Sequence, residues 1–241
     1  MPCLTGEGGA LLEFDGITLR LGDFTLHADM RIAPERRVAV IGPSGAGKST
    51  LLALVAGFLA PEAGRLLWQG VDITQEPPGA RPVAMIFQEG NLFPHLSVYE
   101  NVALGVNPAL KLGAGEKARV MRALERVSLG GMEARKPAQL SGGQQSRAAL
   151  ARALVQDRPI LALDEPFAAL GPALKVEMLD LVREIADERR ATVLMVSHDP
   201  QDARRFAEEV IVVAEGHAAP PRETAEIFAD PPEALRDYLG G

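Results

Sequence analysis

The run Gly42-Pro-Ser-Gly-Ala-Gly-Lys-Ser-Thr50 constrains this chain more than any other stretch. Gly42, Gly45 and Gly47 carry no Cβ, so the backbone there can turn its N–H groups inward around an anion. The run follows Val38–Ile41, a short apolar segment that reads as a strand buried on both faces. It leads into Lys48–Leu59, where Leu51, Leu52, Val55, Phe58 and Leu59 recur at helical spacing, with Pro61 and Gly64 closing the helix. Strand, glycine loop and helix are the context in which G-x-x-x-x-G-K-[ST] has meaning, with Pro43, Ser44 and Ala46 at variable positions. The helix start turns its positive end toward the anion. Lys48 adds a full charge near the outer phosphates, Ser49 offers a hydroxyl to Mg2+, and Thr50 completes the loop. The pattern predicts nucleotide binding and leaves open what the energy is used for.

The surrounding text predicts an α/β fold. Leu11–Leu21 and Phe24–Ile32 show partial period-two alternation around Gly22–Asp23, as in a hairpin. Val83–Phe87, Ile160–Leu163 and Thr192–Val196 are further apolar strand candidates. Ala173–Glu188 between the last two has helical spacing at Leu174, Met178, Leu181, Val182 and Ile185. Strand–helix alternation of this kind argues a mainly parallel sheet. From about Leu96 to Leu154 the text is helix-like, with loops expected at Asn107–Pro108 and Gly113–Gly115, which suggests an inserted helical lobe. The tail reads as two short helices on either side of Asp230-Pro-Pro232. Ile160-Leu-Ala-Leu-Asp164-Glu165 is an apolar strand ending in two carboxylates. Asp164 suits Mg2+, and Glu165, one residue on, suits a general base acting on water.

Composition excludes other classes. The 241 residues carry 25 basic and 32 acidic side chains, a formal charge of −7 with no basic stripe, which argues against a nucleic-acid partner. Arg36–Arg37, Arg189–Arg190 and Arg204–Arg205 read as solvated faces. Cys3 is the single cysteine, so no internal disulfide forms and a reduced, cytosolic setting is expected. Met1–Ala10 reads as a flexible start without the pattern of a secretory leader. The apolar stretch Val38–Ala60 is broken by Pro43, glycines and Lys48, so no membrane span is expected and any membrane role needs a partner.

Leu140-Ser-Gly-Gly-Gln144, lying between the phosphate loop and Asp164, resembles the signature motif of ABC ATPases. Ser141 can cap a helix starting near Gln144, and Gly142 and Gly143 leave N–H groups open to an anion. The resemblance runs from about Leu11 to Leu239. It implies a RecA-like P-loop core with an N-terminal antiparallel β subdomain and an inserted α-helical subdomain. Residues 11–241 would form one ATP-binding domain, with the core at 11–88 and 155–241 and the lobe at about 89–154. It places Gln88 where the family's glutamine reaches Mg2+ and the membrane partner, and His198 where the family's histidine contacts the γ-phosphate. It implies ATP and Mg2+ as ligands. It also implies a head-to-tail homodimer, or a pair with a similar chain, in which the loop of one subunit faces the signature of the other. Attachment to the cytoplasmic face of the cell membrane would come through permease subunits, with a periplasmic substrate-binding protein as an indirect partner.

Ala56–Pro61, Arg81–Glu89, Asn91–Leu96 and Gly105–Leu112 resemble the ATPase subunits of bacterial thiamine importers. ATPases of iron, sulfate, polyamine or molybdate importers remain alternatives. A non-transport relative acting on ribosomes or DNA, which would be expected to carry two nucleotide domains or a long coiled coil, is a more distant one. A different P-loop enzyme would lack any use for Leu140–Gln144. Three departures from the family pattern stand out. Leu21 replaces the aromatic that stacks on adenine, with Phe24 and Phe14 nearby. Ala168-Ala-Leu-Gly171 has a glycine where an acid is usual, and Gln145-Ser-Arg147 lacks the usual leading arginine.

Overall fold

The structure, a computed structural model, describes residues 12–88 and 92–239. The expectations for Met1–Leu11, and the residues Glu89 and Asn91 used in the resemblance, lie outside the described residues. The chain opens with the hairpin β1 (Leu12–Leu21) and β2 (Phe24–Ile32), then β3 (Arg37–Ile41) and α1 (Lys48–Val55). A second meander, β4 (Ala63–Trp68) and β5 (Val71–Asp72), precedes β6 (Val83–Ile86). Three helices follow: α2 (Val98–Ala103), α3 (Ala114–Arg126) and α4 (Gly142–Leu154). The chain returns through β7 (Ile160–Asp164), α5 (Pro172–Arg189), β8 (Thr192–Val196), α6 (Pro200–Phe206) and β9 (Glu209–Ala214). It ends with β10 (His217–Ala218), β11 (Arg222–Glu223), α7 (Thr224–Ala229) and α8 (Glu233–Leu239).

The strands form one curled sheet in the order β5-β4-β1-β2-β10-β9-β3-β8-β7-β6, with β11 on β9. From β9 to β6 the pairing is parallel. At the other end β2, β1, β4 and β5 pair antiparallel, so the expected antiparallel N-terminal layer is present. The parallel strands are apolar except at their ends because both faces are covered: Val38 to Ile41 and Thr192 to Val196 are buried along their whole length. One core cluster joins α2, α3, α4 and α5 to β6, β7 and β8. A second fills the space between the antiparallel layer, α1 and the opposite sheet face.

Four expectations need correction. The helix after the glycine loop ends at Val55, not Leu59, because Gly57 turns the chain at φ +81, where an added Cβ would lie 2.9 Å from Arg81 Nε and from the Glu76 carbonyl. Phe58 is thereby released from the core, 52% exposed, and meets Phe87 edge-on. Gly113–Gly115 is not a loop: Gly113 caps α3, its N–H donating to Glu116 Oε2 at 2.8 Å, and Gly115 lies inside the helix. On α5, Met178, Val182 and Ile185 are buried as expected, but Leu179 and Ala186 complete the stripe while Leu174 and Leu181 stay half-buried.

The basic pairs are not simply solvated. Arg37 is mostly covered and bonds Asp187, Glu208 and the Phe206 carbonyl, tying β3 to α5 and to the start of β9. Arg204 lies 4.0 Å over the Phe228 ring, and Arg190 pairs with Glu35 at 2.7 Å.

At Gly64 the backbone has φ +85, and an added Cβ would lie 2.4 Å from the Gly16 carbonyl oxygen, at the bulge of β1. Gly64→Ala is therefore expected to cost about 1–3 kcal/mol through strain and overpacking. Urea denaturation should show a lower midpoint at unchanged slope; an unchanged midpoint would mean that the meander absorbs the methyl group.

Candidate functional site

The glycine loop leaves β3 at Gly42, whose φ of +146 and contact with β9 exclude a side chain: an added Cβ would lie 1.9 Å from the Val213 carbonyl oxygen. Gly45 and Gly47 also have positive φ, at +76 and +108. A Cβ on Gly47 would lie 2.7 Å from Phe24 Cζ, so the aromatic ring is seated against the loop. Lys48 Nζ donates to the carbonyls of Gly42 and Pro43, both at 2.8 Å, and so points into the loop. Burial pushes its ammonium below the usual value, opposed by Glu165 and Asp164. Gly47 gives α1 no side-chain cap, and the first turn has no acidic residue. By contrast, capping boxes close the starts of α2 and α4. The N–H groups at the α1 start are left to face an anion, which fits a phosphate.

The acidic partner comes from the neighbouring strand ends. Asp164 ends β7, and Ser49 Oγ donates to its Oδ1 at 2.9 Å. Two hard oxygens held together beside the loop suit Mg2+. Burial raises the Asp164 carboxyl above its ordinary value, and Glu165 adds to this, while Ser49 and Lys48 oppose it. Glu165 has φ +46, an uncommon backbone for a side chain of its size. Its N–H donates to the Val196 carbonyl at 3.2 Å, which turns the chain at the end of β7 over the end of β8. That turn brings Glu165 Oε2 to 3.0 Å from His198 Nδ1.

Leu21, Phe24, Ser44, Gly45, Gly47, Lys48, Ser49, Thr50, Gln88, Glu165 and His198 line one open cleft of about 630 Å3. Five separate stretches of sequence thus converge on it. Leu21 is 44% exposed, and Phe24 is its hairpin partner across the Gly22–Asp23 turn. Phe14 lies in the core and does not reach the cleft. Ser141, Gly142, Gly143 and Gln144 are not among the lining residues. They start α4, where Ser141 Oγ accepts from the Gln144 N–H at 3.3 Å and Gln144 Oε1 accepts from the Ser141 N–H at 3.0 Å. Gln145 donates to the carbonyls of Pro137 and Leu140, and Arg147 binds the Val127 carbonyl and Glu177, so both residues brace the segment around α4. Gly171 starts α5 without a side-chain cap, and a Cβ there would meet nothing within 4 Å. Nothing in the structure requires glycine at this position.

The network behind His198 has almost no signature in the sequence. Lys175 reaches Asp199 and Asp202, and Asp202 accepts from Ser197. The one local signal is Asp199-Pro200, a helix-start pattern that does not identify Lys175 as a partner.

Because burial raises the folded pKa of Asp164 above the ordinary 3.8, the folded state there binds more protons than the unfolded chain. Stability contributed by this group therefore falls as pH rises through the carboxylate range. In protein stripped of divalent ions, Asp164→Asn is expected to raise stability near neutral pH and to flatten this fall. Chemical denaturation across about pH 4–8 tests it, and parallel curves for the two proteins would refute it.

Comparison with known proteins identifies the family. The sequence profile of the family described as "ABC transporter" matches residues 26–168. The chain is 63% identical over 230 residues to the thiamine import ATP-binding protein ThiQ of Cereibacter sphaeroides, covering 95% of this chain and all of that protein. Among solved structures it is similar to cbiO1 of Clostridium perfringens, part of the ABC transporter complex cbiONQ (TM-score 0.82, 31% identity, 92% of each chain). It is also similar to the dimeric post-hydrolysis state of the ATP-binding cassette MJ0796 bound to ADP and Pi (TM-score 0.74, 28% identity, 88% of this chain and 98% of that one). With its loop, paired carboxylates and curled sheet accounted for, the chain belongs to the ABC transporter family.

Proposed function

We propose that this chain is the ATP-hydrolysing subunit of an ABC importer, and that the solute carried is thiamine. The observation that carries the ATPase reading is the convergence of Lys48, Ser49, Glu165 and His198 on one cleft, with Asp164 hydrogen-bonded to Ser49 behind it. ATP is the substrate. The loop N–H groups and Lys48 hold its phosphates, and Leu21 and Phe24 offer an apolar seat for the base. Ser49, Asp164 and Gln88 are the oxygen donors for Mg2+, which when bound neutralises charge on the phosphate oxygens. Glu165 accepts a proton from the attacking water, and His198 orients Glu165 and faces the outer phosphate.

The working unit in this reading is a head-to-tail homodimer. Its support is that Ser141–Gln144 lie outside the cleft of their own subunit, with Ser141 and Gly142 exposed at the start of α4. The dimeric state of the MJ0796 cassette supports a dimer as the working unit. Among the described residues no helix is long and apolar enough to cross a membrane. In this reading permease subunits supply the pathway and hold the chain at the cytoplasmic face of the membrane. We assign the described residues from 92 to 154 to a helical lobe facing the permease, supported by the packing of α2, α3 and α4 on one another. The thiamine assignment rests on the ThiQ relatives, since solute choice belongs to the permease and binding protein.

Glu165→Gln is expected to slow hydrolysis at least about 100-fold and to accumulate as a nucleotide-bound dimer on size exclusion. Rapid multiple turnover by the variant would remove Glu165 as the base. For the solute, the chain co-expressed with its permease and binding protein in vesicles should drive ATP-dependent uptake of labelled thiamine. Uptake of another solute and none of thiamine would overturn that assignment and leave the ATPase intact.

A further inference from the structure

Lys175 lies at the end of the first turn of α5, its N–H bonded to the Gly171 carbonyl at 3.0 Å. A cation there opposes the helix dipole, so this position does not favour the helix itself. Its side chain is only 17% exposed, and Nζ lies 3.0 Å from Asp199 Oδ2 and 2.9 Å from Asp202 Oδ2. The carboxylates account for the placement. Asp202 Oδ2 also accepts from Ser197 Oγ at 2.6 Å, and Ser197 Oγ in turn accepts from the Asp199 N–H at 3.1 Å. Asp199 Oδ1 caps α6 through the Gln201 N–H. Ser197 and Asp202 are buried.

The residues on either side of His198 are therefore both inside this network, while His198 itself is more than half exposed. An exposed ion pair would contribute and position little. This pair is mostly buried and hydrogen-bonded, where loss of one partner leaves uncompensated charge. Burial pulls the Lys175 ammonium down, but its bonds to Asp202 and Asp199 outweigh this and hold it above its ordinary value.

We propose that Lys175 is a positioning residue for hydrolysis. By bridging Asp199 and Asp202 it fixes His198 beside Glu165, and it ties that geometry to the helix following Ala168–Gly171. The inference rests on the roles proposed for Glu165 and His198. Lys175 touches neither of them, and its effect passes through the backbone of residues 197–199.

The test is a double-mutant cycle on ATP hydrolysis by the full-length subunit in its reconstituted transporter, combining Lys175→Met with His198→Ala. Lys175→Met alone should lower kcat about tenfold or more with KM for ATP within about twofold, since a misplaced catalytic group costs rate rather than binding. Lys175→Arg should restore most of the rate. In the His198→Ala background, Lys175→Met should slow the enzyme little further. If His198→Ala alone leaves kcat unchanged, the role given to His198 fails. If it slows the enzyme while Lys175→Met does not, or if the two losses multiply, the positioning role is overturned. A rise in KM matching the loss of kcat would reduce Lys175 to a structural ion pair. Should Lys175→Met not fold, Asp199→Asn, which removes the charge and keeps an oxygen to cap α6, takes its place with the same outcomes.

Discussion

Val196 lies in register with Val40 on one side and with Asp164 on the other. These residues come from β3, β7 and β8, and parallel pairing places the C-terminal ends of all three strands along one edge. Within two residues of that row the chain presents Gly42, Glu165 and His198. Ser49 and Lys48 follow on the helix that the Gly42 loop begins. The site depends on this shared register. A slip of one residue in β8 would move His198 away from Glu165 and reverse the faces of an entirely buried strand.

The loop is held from behind as well as built from within. Gly42 presses on the Val213 carbonyl of β9, and Gly47 presses on Phe24 of β2. Gly42 is required for lack of space against backbone, and Gly47 for its positive φ. The antiparallel layer thus does more than cover the sheet: it delivers Leu21 and Phe24 to the mouth of the cleft. The uncommon backbone of Glu165 belongs to the same pattern, since a residue held at φ +46 at a reactive position is sustained by the hydrogen bond to β8.

The electrostatics of the cleft are balanced rather than uniform. Lys48 is mostly buried among carbonyls and faces two carboxylates, and Asp164 is held by the Ser49 hydroxyl. Behind it, Lys175 supplies a second, mostly covered cation that does not line the cleft and bonds Asp199 and Asp202 in the segment following His198. Gly171, a departure that stood out in the sequence, leaves α5 uncapped at the end nearest Lys175. The family's usual carboxylate there would sit one helical turn from this ammonium, so its absence changes the charge environment of α5 without changing its shape.

Local chemistry made much of this legible. Glycines in the loop, apolar runs for the buried strands, a carboxylate pair at a strand end and the capping pattern at Ser141–Gln144 each follow from residue type and spacing over a few positions, and the strand at Thr192–Val196 falls where periodicity puts it. What local chemistry could not decide was partnership across distance. The apolar run Val210–Val213 gave no sign that it would pair with β3 and wall the loop, because strand pairing is set by the whole sheet. Helix α1 stopped early because Gly57 had to clear Arg81, twenty-four residues on. Lys175 has no sequence signal linking it to Asp199 and Asp202; only packing α5 against α6 brings their charges together. The sequence by itself determined which chemical groups this protein carries and the local turns that expose them. The tertiary structure alone decided which groups meet, because parallel register and buried charge pairing are properties of the assembled sheet and its covering helices.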